Sequence, residues 1–175
     1  MKRLAILAMV LLLMYVGSLY RQLTSPSISA AAAFLPAATT DAVNHTESQS
    51  LPASASDICF VSASVGMQGR LRAYRFTAPV SDLHSHAMTE LAAFGSNWSQ
   101  PNATPFIRSN VKSPFDAEYL AFLKKSFDAD ASWLAAPLNT KGTIYNFDAN
   151  LNDVPRRPTI FVDETNGVLY FVVTD

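Results

Sequence analysis

Three side chains that could bind a metal ion or move a proton fall within one short stretch: His84, His86 and Glu90. Imidazole titrates near neutral pH and is a common transition-metal ligand. The spacing argues against a shared ion, because residues two apart on a helix point about 200° away from each other. The pair therefore reads as solvent-facing, with His86 and Glu90 one turn apart and contributing roughly 0.3 kcal/mol as an i,i+4 pair. If the chain were a hydrolase or a metal-dependent enzyme with a dispersed site, His84, His86 and Asp148 would be the first suspects.

Two acidic stretches have the look of calcium loops: Asp128-Ala129-Asp130-Ala131-Ser132 and Asp148-Ala149-Asn150-Leu151-Asn152-Asp153. Both put oxygens at the first, third and fifth places. Trp133 or Asp153 then stands where the loop requires glycine, and Asn139 or Thr159 where it requires glutamate, so solvated turns are expected. The single cysteine, Cys59, excludes an intramolecular disulfide and any multi-thiolate zinc site, and its apolar surroundings predict burial. Nucleophile elbows, S-x-x-K, Walker loops and dinucleotide fingerprints are all absent. No catalytic residue, cofactor or metal ligand is thus assigned. Arg70, Arg72 and Arg75 read as scattered charges, since Arg72 falls on the opposite face of a strand from Arg75. With a net charge of −1 and no Lys/Arg-rich run, nucleic acid is not expected as a partner.

The elements that would position these residues begin near Ile58. Ile58 to Val65 and Arg70 to Phe76 read as a hairpin turning at Gly66-Met67-Gln68-Gly69. Ser81 then caps a helix with an apolar stripe of Leu83, Ala87, Leu91 and Phe94, and Gly95 stops it. Ser96 to Val111 reads as an irregular loop. A second helix takes Ser113 as its cap, Pro114 at its first position and Asp116 in the capping-box place. Its core face is Phe115, Tyr119, Phe122, Leu123 and Phe127. Thr143 to Phe147 reads as a strand. Thr159–Val162 and Val168–Val173 form a hairpin around Asn166-Gly167, which at the tip sets Val162 opposite Phe171 and Ile160 opposite Val173.

The opening segment has a different character. Met1-Lys2-Arg3 is cationic, Leu4 to Tyr20 carries no charge, and Arg21 closes the run. As a helix it would span roughly 25 Å, near the thickness of a thin bilayer core. More cations precede the run than follow it closely, which keeps the N-terminus in the cytoplasm and sends the rest outside. Residues 1–21 are expected to be a signal-anchor or a cleaved signal peptide. Residues 22–57, dominated by Ala, Ser, Thr and Pro, read as a disordered linker, and 58–175 as an extracytoplasmic α+β domain. The expected architecture is two helices packed on a β-sheet with a C-terminal hairpin.

Phe76-Thr77-Ala78-Pro79 running into a helix, together with Pro158-Thr159-Ile160-Phe161-Val162, resembles the thioredoxin-like fold. That resemblance implies a degenerate member as an alternative fold. Ser81-Asp82-Leu83-His84 stands where the family's dithiol would be, so no redox activity is carried over. The expected function is a membrane-tethered module that binds another protein of the envelope or surface, anchored through residues 4–20. It would be periplasmic or secreted if the anchor is cleaved.

Overall fold

Val168 to Thr174 has no polar position before its last residue, a run that stays out of water only where both faces of its sheet are covered. The computed structural model shows that cover. It describes residues 14–15, 26–31, 43, 50–65, 69–97, 105–137, 139–147 and 157–174. The strands are β1 (Pro26–Ala31), β2 (Ser56–Val65), β3 (Arg70–Thr77), β4 (Pro105–Lys112), β5 (Lys141–Phe147), β6 (Arg157–Asp163) and β7 (Val168–Thr174). They form one sheet in the order β1-β2-β3-β7-β6-β5-β4, with every neighbouring pair antiparallel. Two helices, α1 (Val80–Asn97) and α2 (Ala117–Phe127), lie on opposite faces of it.

Strand periodicity sorts the core into two halves. Tyr74, Phe76, Ile160, Val162, Leu169 and Phe171 point to the α1 side, where they meet Leu83, Ala87, Leu91 and Phe94. Leu71, Ala73, Phe161, Tyr170 and Val172 point to the α2 side, against Leu123 and Phe127. The apolar stripe expected for α1 is therefore buried in full. Gly142 on β5 has no space for a side chain, since a Cβ there would run into the Val162 carbonyl oxygen and press on the Phe161 ring.

The fold is α+β, with both expected helices, the β2–β3 pair, β5 and the β6–β7 hairpin in place. Several details differ from the sequence expectation. The antiparallel pairing throughout rules out the thioredoxin-like alternative, in which a helix crosses between parallel strands. Gly95 does not end α1, which continues to Asn97, and Pro79 rather than Ser81 opens it: its carbonyl accepts from the amides of Asp82 and Leu83. On α2 the cap is Asp116, whose carboxylate accepts from the Tyr119 amide at 2.9 Å. Ser113 closes a separate turn through the Phe115 amide. The carboxylate is the better complement to the helix dipole, so it displaces the hydroxyl. Phe122 lies outside the core face and is 49% exposed.

The stretch expected as loop contains β4. Pro105 starts that edge strand, where its missing amide hydrogen costs little. A bulge between Arg108 and Val111 follows, with Asn110 at φ 60°. In the β6–β7 hairpin Ile160 faces Phe171 and Val162 faces Leu169, two residues away from the expected register. Asp163 is the cause: its buried carboxylate accepts from the backbone amide and side-chain amide of Asn166, at 3.0 and 2.7 Å. This closes a four-residue loop, with Gly167 at φ 64°, instead of a two-residue turn. A shift of two keeps every side chain on its face.

Within 22–57, residues 26–31 pair with β2 as β1, β2 itself starts at Ser56, and Val43 and Leu51 are buried in the α1-side core. The apolar run 4–20 lies outside the described residues except for exposed Met14 and Tyr15. Among the described residues no helix is long and apolar enough to cross a membrane.

Candidate functional site

α1 places its two histidines in different surroundings, as the angular separation requires, and each meets a tyrosine and a glutamate. The outer cluster sits where the start of α1 approaches β5 and the β6–β7 loop. His84 Nδ1 is hydrogen-bonded to the Tyr145 hydroxyl, and His84 Nε2 lies 3.4 Å from Glu164 Oε1. The His84 and Glu164 side chains are 33% and 46% exposed. Thr143 Oγ1 lies 2.7 Å from Glu164 Oε1 and 3.0 Å from Ser109 Oγ. A hydroxyl has one hydrogen, so Thr143 donates to the carboxylate and accepts from Ser109. Glu164 favours the tautomer that carries its hydrogen on Nε2, which leaves Nδ1 to accept from Tyr145. Burial first, then the Glu164 charge, raises the Tyr145 pKa and keeps that phenol protonated.

The inner cluster centres on His86, two residues further along α1. The Tyr74 hydroxyl is 3.0 Å from His86 Nε2, and Glu90 Oε1 is 3.9 Å from the same nitrogen. The His86 and Glu90 side chains are 5% and 0% exposed. The Tyr74 ring stacks on Phe171 with centroids 4.5 Å apart, and Phe76 meets His86 edge-on at 5.3 Å. Burial lowers the His86 pKa to about 4, so its imidazole is neutral at physiological pH. His86 also borders a polar cleft of about 240 Å³ with Ser50, Pro52, Asp82, Ser85 and Thr89.

The expectation of a solvent-facing histidine pair holds for neither residue in full: His84 is half-buried and His86 is enclosed. The two rings face different partners. Among the described residues no group of three or more His, Cys, Asp or Glu side chains is placed to hold a metal ion. Asp148 and the stretch 148–153 lie outside the described residues. The first acidic stretch serves the backbone. Asp128 takes the left-handed cap of α2 at φ 51° and pairs with Lys124 at 2.9 Å, while Asp130 accepts from the Ser132 amide. Cys59 is buried, as expected. Arg75 donates to the Trp133 carbonyl on the α2 side, and Arg70 is exposed at the strand's end.

The feature that sequence reasoning missed is β4. It is an edge strand whose residues are all exposed except half-buried Val111. Phe106 and Ile107 are 39% and 47% exposed, and the Arg108 guanidinium sits 5.0 Å above the Phe106 ring. Pro105 to Lys112 carries no apolar alternation, so no local pattern signals a strand there. Compared with family models, curated proteins and solved structures, the chain matches none.

Proposed function

We propose that the chain is a membrane-tethered, extracytoplasmic module that binds another protein through the open β4 edge of its sheet. The observation that carries this reading is that β4 presents Phe106 and Ile107 to solvent on a strand bonded only to β5 among the described residues. Such an edge offers unpaired backbone groups beside apolar side chains, the two ingredients of strand-mediated recognition. The tether is supported by the uncharged run Leu4 to Tyr20 between Lys2-Arg3 and Arg21. Cleavage of that run would leave the same module free in the periplasm or outside the cell.

The test has two arms. In membranes expressing the full chain, the protein should stay in the pellet after alkaline carbonate extraction, and a C-terminal tag should be digested only from the outer side. Release of unprocessed chain into the soluble fraction defeats the tether. A photo-crosslinking side chain at Ile107 should give a discrete protein adduct that is missing when the same group replaces exposed Ala92 on α1. Equal labelling at both positions, or none at Ile107, defeats the binding role.

A second reading, a hydrolase, is favoured by one observation: the hydroxyl, imidazole and carboxylate of Tyr145, His84 and Glu164 are in sequence at a half-exposed site. The protonated phenol makes this a weak nucleophile system. Loss of biological activity in a stable His84→Gln variant would favour the enzyme.

A further inference from the structure

We infer that the β4 edge accepts an extended partner segment in which an apolar pair adjoins carboxylate side chains, added to the sheet as a further strand. This rests on the binding role proposed above and specifies its partner.

Register assigns the faces. Ile107 stands opposite Tyr145 and so lies on the α1 side of the sheet, while Phe106, opposite Asn146, and Arg108, opposite Ile144, lie on the α2 side. Beyond the bulge, Lys112 stands opposite Lys141. An incoming strand would therefore find one exposed apolar group on each face, then cations. Arg108, Lys112 and Lys141 form no ion pair among the described residues. The acid nearest in the network, Glu164, is engaged by Thr143 and His84. Opposite charges on adjacent strands stabilise the pairing and like charges oppose it, so carboxylates are the complement of this edge.

The same features turn away a second copy of the chain. Two β4 edges would bring the same cations together, and β4 carries no acid of its own. Lysines and a bulge on an edge strand are known devices against self-pairing. The bulge also limits the ladder: regular pairing is available along Pro105–Arg108, and Lys112 is reached by side chains past the irregularity.

The full chain in detergent micelles is titrated with three capped peptides. The first has a valine-rich centre flanked on both sides by paired glutamates, so either strand direction brings a carboxylate to Arg108. The second replaces glutamate with lysine, and the third is the first with alternate backbone amides methylated. The glutamate peptide should bind saturably, with the lysine and methylated peptides at least about tenfold weaker. Arg108→Glu with Lys112→Glu should reverse the charge preference; if the double variant misfolds, the single exposed variants Arg108→Gln and Lys112→Gln should each weaken the preference for the glutamate peptide, and an unchanged preference in both overturns the inference. Equal binding of the glutamate and lysine peptides overturns the acidic partner, and equal binding of the methylated peptide overturns strand addition. A concentration-dependent dimer lost in Ile107→Asp, or binding only to phosphatidylserine vesicles, also overturns the inference by naming a different occupant. If Ile107 still crosslinks to a protein while the peptides show no preference, this inference alone fails; if no crosslink forms, the binding role fails with it.

Discussion

The two tyrosine, histidine and glutamate clusters at α1 are built from the same three side-chain types, yet one is buried at the edge of the core and the other lies half in water. Around His86 the ring edges of Tyr74 and Phe76 exclude solvent, and its pKa falls to about 4. Around His84 the partners come from β5 and the β6–β7 loop, and the contact with Glu164 at 3.4 Å is open to solvent. Identical chemistry thus acts as a structural polar contact in one place and as an adjustable surface group in the other. Burial, rather than residue type, sets the difference.

Acid should separate the two clusters most strongly. The folded pKa of His86 lies below its ordinary 6.5, so the unfolded chain takes up that proton first as the pH falls. The stability tied to this site is complete above about pH 6.5 and declines until about pH 4, by about 3 kcal/mol in total. Chemical denaturation across that range should show the slope, His86→Leu should flatten it, and His84→Gln should leave it. A slope that disappears with His84 instead would invert the assignment of the two clusters.

Removing one hydroxyl from each cluster sharpens the contrast. Tyr74→Phe strips the enclosed His86 nitrogen of its partner and should lower unfolding free energy by about 1–2 kcal/mol. Tyr145→Phe leaves His84 able to turn to water and should lower it by about 0.5 kcal/mol. Equal losses in urea titrations would mean that solvent does not reach the outer cluster. The smallest change is expected from Glu164→Gln, below about 0.5 kcal/mol and shrinking further in high salt. A larger, salt-independent loss would show that solvent does not screen the Glu164 contacts.

What could be read from the sequence follows the range of the interactions. The stripe Leu83, Ala87, Leu91 and Phe94 and the apolar run Val168–Val173 carry their period in neighbouring residues, so helix and strand were both legible. Residue spacing alone also separated His84 from His86. Tyr145 and Glu164, the partners of His84, stand far away in the chain and are delivered by sheet order, which no local pattern encodes. The hairpin register failed for a related reason: Asn-Gly promised a two-residue turn, but the Asp163 carboxylate secured Asn166 and enlarged the loop. β4 was hidden because its side chains face water, leaving no buried period to detect.

Gly142 gives the outer cluster a dependence that its own residues do not reveal. Sliding β5 by one place along β6 would push the Cβ of Lys141 or Thr143 against a carbonyl that tolerates none, so out-of-step pairings are rejected as they form. The glycine acts as the keyway of the strand. By admitting a single alignment it delivers Thr143 to Glu164 and Tyr145 to His84 at once, and a methyl group there would scatter both.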